Sequence, residues 1–427
     1  MPPQAVIERV FARIDALQDD LVRLTADLIR FRTVNPPGQD YEACCAFIGD
    51  RLAARGFAIE HIRAIGAPGD SDAFPRANVI ARKEGVAPGP CVHFNGHIDV
   101  VEAGGGWSVD PFAGVVRDGR VYGRGACDMK GGLAAAMIAV EAIVAEQVPF
   151  CGALEVSGTA DEESGGYGGV GYLARQGRLS APRVDHVIIP EPLNPDRVCL
   201  GHRGVWWAEI EMRGRIGHGS MPFLGVSAIS GMAGFLARVE RELAPALARR
   251  TTVMPCVPDG ARVSTLNINS IHGGQPEPGD SLPAPVVADW CRLVLDRRYL
   301  IEETPADVRQ ELVALLDATI AATPGLAYSL RDLMAFEPVM TEADDPVVVA
   351  LDHWIETLFG APATHVASPG TYDQKHVQRF GAIRSCVAYG PGILDLAHQP
   401  DEWVGIDDMV RSAKVMAAAA LTLTGVV

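Results

Sequence analysis

The chain lacks an excess of positive charge and lacks long apolar runs. Its 427 residues include 37 Lys and Arg against 53 Asp and Glu, a formal net charge of −16, which argues against nucleic acid as a partner. No stretch approaches the roughly 18 consecutive apolar residues of a membrane span. Residues 1–32 interleave charged residues at helical spacing and show no apolar signal core. We therefore expect a cytoplasmic protein that binds neither nucleic acid nor membrane.

Paired cysteine motifs are also missing. The nine cysteines show no Cys-x-x-Cys spacing, and several of them, such as Cys91, Cys291 and Cys386, lie inside apolar runs. This usage predicts reduced thiols and not a disulfide framework. Because 427 residues exceed what a single hydrophobic core comfortably holds, two domains are expected.

The chain does contain acidic residues and histidines at the ends of predicted strands. The apolar run at residues 90–96 predicts a buried strand that leads to His97 and Asp99. Open α/β sheets place their sites at the carboxyl ends of strands. The imidazole of His97 can bind a metal through one nitrogen while Asp99 holds the other. Taken alone, the pair is also compatible with a purely structural role.

Asp128 follows a glycine-rich turn and precedes an Ala-rich segment of helical character at residues 133–144. Two interpretations of this carboxylate are open. It caps the helix, or it bridges two cations about 3.5 to 4 Å apart, the spacing that two-metal hydrolases use. Bridging would require further ligands elsewhere in the chain.

Further carboxylates follow two more predicted strands. Glu162 and Glu163 come after the strand predicted at residues 153–160, so the adjacent side chains point in different directions. Two like charges side by side are unfavourable unless cations or protons compensate them. One can bind metal while the other handles protons, although an exposed acidic turn is the alternative. Glu191 follows the strand predicted at residues 184–189 and stands between two prolines.

His398 stands in a loop and not on an apolar helical face. A histidine satisfied within the core remains the alternative for this residue. However, each candidate falls at a strand end or in a loop, and independent structural roles would have to apply to all of them. The joint pattern therefore favours a two-metal hydrolytic centre.

Several motifs appear in order along nearly the whole chain: NGHIDVV, GWSVDPF, DGRVYGRGACDMKGG, DEESGG, GHGSMP and GPGILDLAHQPDEW. In these motifs the chain resembles the co-catalytic zinc metallopeptidase and deacylase family of acetylornithine deacetylase, succinyl-diaminopimelate desuccinylase and the aminoacylases. The resemblance implies the metal ligands. His97 and Glu191 would hold one metal, Glu163 and His398 the other, and Asp128 would bridge them.

The same resemblance implies the remaining site residues. Glu162 would be the general base, while Asp99 keeps the supporting role that the His-x-Asp spacing predicts. His218 matches the lid histidine that reaches into the partner subunit's site of a homodimer. Arg298 matches the lid arginine that reads a substrate carboxylate, and Arg203 is a second candidate. The implied cofactors are two divalent ions, zinc first, with cobalt or manganese as alternatives.

These roles imply a metal-dependent amidohydrolase, a hydrolase of non-peptide linear amide C–N bonds. It would remove an N-acyl group from an amino acid or a related small amine. Two cations lower the pKa of a shared water, Glu162 takes its proton, and the same side chain returns the proton to the leaving amine. The metals and His218 would stabilise the oxyanion of the tetrahedral intermediate.

Two segments depart from the family pattern. Residues 285–288 read Pro-Val-Val-Ala where relatives carry Asn-x-Val/Ile-Pro. Residues 370–375 read Gly-Thr-Tyr-Asp-Gln-Lys where relatives carry Gly-Thr-Asp-Ala-Arg, which inserts Tyr372 and removes the arginine. Both departures bear on the substrate and leave the metal chemistry untouched. A dipeptide or an N-formyl or N-acyl heterocyclic amine is the alternative substrate.

Two other functions are alternatives to amide hydrolysis. A non-catalytic small-molecule binding protein would have no need of the base Glu162. Phosphoester hydrolysis would favour an arginine or lysine clamp beside the metals, and the sequence shows none there.

The order of predicted elements indicates the architecture. Strands alternate with helices through residue 198, which predicts a helix-flanked, mostly parallel sheet of α/β class, here of the zinc aminopeptidase type. From Gly204 a strand, helix, strand, strand, helix, strand order predicts an inserted ferredoxin-like α+β lid that serves dimerisation. Residues 273–285 are interpreted as a lid loop. The predicted domains are 1–203 with 335–427 for catalysis, and 204–334 for the lid. The predicted lid elements are 205–213, 226–247, 263–272, 289–298, 305–322 and 327–332.

Overall fold

The computed structural model describes residues 1–275 and 284–427, so the loop predicted at 273–285 lies largely outside the described residues. The chain divides into two compact units. The first comprises Met1–Gly201, Thr341–Val366 and Tyr372–Val427, and the second comprises His202–Met340 and Ala367–Thr371.

The short segment Ala367–Thr371 groups with the second unit, although the sequence-based boundaries assign it to the catalytic domain. Backbone hydrogen bonds join it to that unit, among them one of 2.9 Å from Ala367 N to the carbonyl oxygen of Pro255 and one of 3.3 Å from Arg203 N to that of Ser368. The division into a catalytic domain of 1–203 with 335–427 and a lid domain of 204–334 stays a prediction.

The described residues form helices and strands in both units. The helices α1 to α11 are Gln4–Ala16, Gln18–Arg30, Tyr41–Ala53, Gly131–Ala145, Val170–Arg175, Ala228–Arg238, Ala244–Leu247, Pro305–Ala322, Pro346–Phe359, Gln374–Arg379 and Ile406–Thr424. The strands β1 to β16 are Ala58–Arg63, Ala77–Glu84, Ala87–His97, Val115–Arg117, Arg120–Tyr122, Cys151–Thr159, His186–Ile189, Arg197–His202, Gly204–Arg213, Thr265–Gly273, Trp290–Tyr299, Ala327–Phe336, Val339–Met340, Thr364–Ser368, Cys386–Ala388 and Trp403–Gly405.

The first unit is built on a sheet that includes, in order, β1, β2, β6, β3, β7, β15 and β8. Its centre is parallel, because β6 and β7 both run parallel to β3 and β15 runs parallel to β7. Antiparallel pairings of β2 with β6 and of β8 with β15 flank this centre. Residues 91–97 of β3 are all buried, as expected for a parallel strand covered on both faces. The predicted helix-flanked, mainly parallel sheet is confirmed.

The parallel strands bring their carboxyl ends to one edge of the sheet. In the β3–β6 register His97 lies opposite Thr159, the last residue of β6. In the β3–β7 register Phe94 lies opposite Ile188, near the end of β7. The segments that follow β3, β6 and β7 therefore leave the sheet side by side, and these segments carry the candidate ligands.

A small antiparallel sheet of β4, β5 and β16 completes the first unit. Here Trp403 pairs with Tyr122 and Gly405 with Arg120. This pairing places the segment after His398 beside the segment that leads to Asp128.

The second unit contains a four-stranded antiparallel sheet in the order β10, β11, β9, β12. Side chains of β11 alternate between more and less buried positions, so one face lies on a core shared with α6 and α8. Phe235, Leu293 and Leu312 are members of that core. The strand, helix, strand, strand, helix, strand order matches the predicted ferredoxin-like lid. No helix within the described ranges is long and apolar enough to span a membrane.

Candidate metal centre

Asp128 lies between two histidines from opposite ends of the chain. Its Oδ1 is 3.0 Å from Nε2 of His97, and its Oδ2 is 3.5 Å from Nε2 of His398. Glu191 lies on the His97 side of Asp128, and Glu163 lies on the His398 side. Oε1 of Glu191 is 3.9 Å from His97 Nε2, and Oε1 of Glu163 is 3.1 Å from His398 Nε2.

These side chains form two groups that share Asp128, one with His97 and Glu191 and one with Glu163 and His398. Within each group the candidate ligand atoms all lie within 4.8 Å of one another. Imidazole nitrogens and carboxylate oxygens are donors that zinc and related divalent ions accept. A carboxylate shared by two such groups is the arrangement of a two-metal site. All five predicted ligands are therefore brought together.

The alternative role of Asp128 as a helix cap is not observed. Helix α4 begins at Gly131 with Lys130 at the N-cap position, and no side chain caps it. The carboxylate of Asp128 instead contacts the two histidines, as a bridging ligand would.

The electrostatics of the cluster favour bound cations or protons. Burial raises the pKa of Glu163 to about 7, even though a hydrogen bond from His398 opposes this shift. Burial and the charge of Asp128 hold the pKa of Glu191 well above its usual value. Hydrogen bonds to Asp128 and Glu163 raise the pKa of His398 to about 10. Buried carboxylates of this kind hold protons until a metal ion replaces them.

Asp99 supports the site in two ways. Its backbone oxygen is 3.0 Å from Nδ1 of His97, closer than its carboxylate at 3.5 Å. The carboxylate instead accepts the backbone N–H groups of Glu162 and Glu163, each at 3.1 Å. Support of His97 thus comes mainly from the carbonyl, and the carboxylate holds the turn that carries the acidic pair.

A network that sequence reasoning missed supports the same turn. Asp161 precedes the acidic pair and has a left-handed φ of 66°. Its carboxylate accepts hydrogen bonds from Arg76 Nε at 2.9 Å and from the Tyr41 hydroxyl at 3.2 Å. The amide of Asn35 reaches Asp99 at 3.0 Å. Asn35, Tyr41 and Arg76 lie far from the acidic pair in sequence and outside any quoted motif, so no sequence signal indicated them.

Lys375 is the most consequential residue that the sequence interpretation missed. Its buried Nζ lies 2.9 Å from Oε1 of Glu162. Burial disfavours the ammonium, but Glu162 and Asp373 outweigh burial and raise the pKa of Lys375. Although residues 370–375 lack the arginine of the family pattern, they therefore supply a lysine that pairs with Glu162. The inserted Tyr372 is buried, and its hydroxyl bonds Gln374.

The remaining predicted site residues belong to the second unit. His218 is exposed, and its Nδ1 is 2.7 Å from the hydroxyl of Ser220. The departing segment at residues 285–288 runs beside it, because Val287 N donates to the Gly217 carbonyl at 2.8 Å. This segment is therefore a neighbour of the His218 loop.

The two candidate arginines differ in their partners. Arg298 makes two hydrogen bonds to Asp296, at 2.8 and 3.0 Å, so its charge is compensated. Arg203 is buried and donates to carbonyl oxygens, those of Pro369 at 3.2 and 3.3 Å and of Val263 at 3.1 Å. Among the described residues no carboxylate forms an ion pair with Arg203.

The sequence matches the family model described as peptidase family M20/M25/M40 over residues 93–422. The chain belongs to this family. Its M20 relatives include succinyl-diaminopimelate desuccinylase of Xanthomonas campestris pv. campestris (strain 8004), 31% identical over 402 residues, 92% of this chain and 96% of the relative. Acetylornithine deacetylase of Myxococcus xanthus is 33% identical over 416 residues, 96% of this chain and 98% of the relative. The resemblance inferred from the motifs is confirmed.

Solved structures share the M20 fold. Human carnosine dipeptidase 1 has a TM-score of 0.76 at 20% identity and covers 99% of this chain and 100% of its own. An M20 family metallo-carboxypeptidase from Sulfolobus solfataricus has a TM-score of 0.74 at 18% identity and covers 95% of this chain and 99% of its own. These similarities confirm the predicted fold class.

Proposed function

We propose that this M20 protein is a metal-dependent amidohydrolase that removes an N-acyl group from an amino acid or a related small amine. The observation that carries the proposal is the pair of ligand groups that share Asp128. The names of two relatives support amide hydrolysis, because one is a desuccinylase and the other a deacetylase.

The ligand assignment follows the two groups. His97, Glu191 and Asp128 would hold one ion, and Glu163, His398 and Asp128 the other. Zinc suits this nitrogen and oxygen donor set, and cobalt and manganese accept the same donors. When bound, two divalent ions lower the pKa of a water molecule and polarise the amide carbonyl.

Glu162 is proposed to carry the proton. Its carboxylate accepts the proton of the attacking water and returns it to the nitrogen of the leaving amine. Lys375 holds Oε1 of Glu162 at 2.9 Å, which restricts the orientation of the carboxylate. Asp99 restricts the backbone of the same residue through its hydrogen bond to Glu162 N.

His218 is proposed to stabilise the oxyanion in the site of a partner subunit. The support is the surface around it. Ile216, Phe223 and Leu224 near His218 are 53%, 77% and 54% exposed. Apolar side chains grouped on a surface mark interaction sites. A homodimer formed through the second unit would cover them.

Arg203 is proposed as the anchor of a substrate carboxylate, in preference to Arg298. A buried guanidinium is costly without a compensating anion, and Arg203 has only carbonyl partners among the hydrogen bonds given above. Arg298 is already neutralised by Asp296. A carboxylate on the substrate would meet the planar donor fork of Arg203 in bidentate geometry.

The deciding experiment combines metal analysis with hydrolysis of a substrate panel. The panel contains N-acetylornithine, N-succinyl-diaminopimelate, other N-acyl amino acids, a dipeptide and an N-formyl amine. We expect turnover of an N-acyl amino acid that is lost on chelation and restored by zinc. Turnover of only the dipeptide or the formyl amine would assign the protein to the alternative substrate class in place of N-acyl amino acids. Absence of both bound metal and turnover would overturn the proposal.

A further inference from the structure

Glu402 lies beside Asp128 although 274 residues separate them in sequence. The pairing of β5 with β16 brings the two segments together, and Gly123 N donates to the Glu402 carbonyl at 2.9 Å. The buried carboxylate of Glu402 accepts two backbone N–H groups through Oε1, from Cys127 at 2.8 Å and from Asp128 at 3.0 Å. Glu402 therefore fixes the backbone that carries the shared carboxylate.

Arg124 contacts both Glu402 and the backbone around His398, the candidate ligand on the other side of Asp128. It is buried, and its Nη1 bonds the other carboxylate oxygen of Glu402. Its Nη2 donates to the carbonyl oxygens of His398 and Ala103, each at 3.2 Å, and its Nη1 donates to that of Gln399 at 3.3 Å.

The backbone of His398 has an unfavourable conformation that needs support from its surroundings. His398 has a φ of 63°, in the left-handed region that residues other than glycine rarely adopt. Such a conformation persists only where surrounding contacts impose it. The hydrogen bond from Arg124 to the His398 carbonyl is one of those contacts.

We propose that Arg124 and Glu402 form a positioning pair that sets the separation of Asp128 and His398. The pair would thereby determine the affinity and coordination geometry of the ion held with Glu163. The hydrogen bonds above run to the backbone of the two ligands, so the pair acts through backbone placement. The inference rests on the proposed metal centre, and it concerns metal binding independently of the substrate.

A buried ion pair with a purely structural role is the competing explanation. The first unit contains such a pair for comparison, in which Arg51 Nε and Nη2 bond the buried carboxylate of Glu141 at 2.6 and 2.9 Å. Glu141 lies near the end of α4, and neither residue belongs to the ligand groups. Its loss should lower stability without altering metal binding.

The test compares Glu402→Gln, Arg124→Lys and the control Glu141→Gln in the full chain. Zinc dissociation constants are measured by chelator competition, and the visible absorption spectrum of the Co²⁺-loaded protein reports coordination geometry. We expect Glu402→Gln to weaken zinc binding by roughly 10- to 100-fold, as loss of outer-shell partners does, and to shift the Co²⁺ bands. Arg124→Lys should produce a smaller change of the same kind. Glu141→Gln should leave both readouts unchanged.

The outcomes separate the two proposals. Wild-type zinc affinity and Co²⁺ spectrum in folded Glu402→Gln would overturn the positioning role, as would equal changes in Glu141→Gln. If Glu402→Gln does not fold, the same readouts on Arg124→Lys decide. An unchanged chain that binds metal but hydrolyses no amide would refute only the proposed function. An unchanged chain that binds no metal would refute both.

Discussion

At the residue scale, two adjacent glutamates have different surroundings. Glu163 lies 3.1 Å from His398, and Glu162 lies 2.9 Å from Lys375. The sequence predicts that the two side chains point in different directions, because neighbouring residues at a strand end do so. Their distinct partners come from positions more than 200 residues later in the chain. The two roles should therefore be separable by mutation.

Glu162→Gln should lower kcat by about 10²- to 10⁴-fold, the usual contribution of general acid–base catalysis, and should leave the metal content unchanged. A glutamine amide cannot accept and return the proton. Glu163→Gln is the matched control and should lose metal. Steady-state kinetics and elemental analysis of both variants test this assignment. Wild-type turnover in metal-replete Glu162→Gln would remove Glu162 from the role of base.

Arg203→Met should raise KM for a carboxylate-bearing substrate by roughly 10- to 100-fold, since hydrogen bonds to a charged group contribute about 1.5–3 kcal/mol. Arg298→Met should leave KM nearly unchanged, because Arg298 is paired with Asp296. Kinetics on an N-acyl amino acid and on its amide analogue without the carboxylate separate the two. An equal effect on both substrates would contradict a carboxylate contact.

Glu155 provides a pH-dependent contribution to stability. Burial raises its pKa, but bonds from His93 and Arg82 outweigh burial and lower the pKa from 4.5 to about 2. A carboxylate with a depressed folded pKa stabilises fully above its unfolded pKa, and this contribution is lost as the pH falls through the folded value. The stability difference between the unchanged chain and Glu155→Gln should therefore shrink between about pH 5 and pH 2. Urea unfolding across this range measures it, and a difference independent of pH would exclude the effect.

At the element scale, helix α4 approaches the Glu191 turn closely. A Cβ added at Gly132 would lie 1.9 Å from the carbonyl oxygen of Pro190, the residue before Glu191. The helix can begin where it does only because residue 132 has no side chain. Gly132 is thus part of the packing that positions the candidate ligand Glu191.

Gly132→Ala should lower the free energy of unfolding by about 1–3 kcal/mol or more, the cost of overpacking, and should weaken metal binding through Glu191. Gly105→Ala is the control, because a Cβ at Gly105 would meet nothing within 4 Å. Denaturant unfolding and zinc titration compare the two. Equal stability of the two variants would show that α4 can move away from the turn without cost.

Element boundaries were predicted well where local signals agree. The helix predicted at 305–322 matches α8, whose start carries the capping residue Thr304 and a proline in the first turn. The helix predicted at 226–247 is observed from Ala228 to Leu247, and residues Val239–Leu243 within it form a π-helical turn between α6 and α7. Pro245 in the first turn of α7 has no N–H to continue the regular α-helical hydrogen bonds. The strand predicted at 327–332 extends to Phe336 because its partner β9 continues alongside it.

At the scale of the whole molecule, the proposed homodimer would make the second unit part of catalysis. Phe223→Glu together with Leu224→Glu should yield a monomer that keeps its metal and loses most turnover, since His218 would no longer reach a partner's site. Ile65→Glu is the control, because Ile65 is 73% exposed in the first unit. Sedimentation analysis and kinetics test this. A monomeric variant with full turnover would show that His218 does not act across subunits.

The sequence by itself determined the fold class, the order of elements and the choice of the five candidate ligands. These features depend on local hydrophobic periodicity and on residues placed at strand ends, both of which are readable along the chain. Only the tertiary structure decided the partner of Glu162, the separate tasks of Asp99, the contrast between Arg203 and Arg298, and the pairing of Arg124 with Glu402. Glu162 and Lys375 are 213 residues apart, and Asp128 and Glu402 are 274 apart. Contacts over such separations exist only once the sheets have formed, because strand pairing brings the segments together.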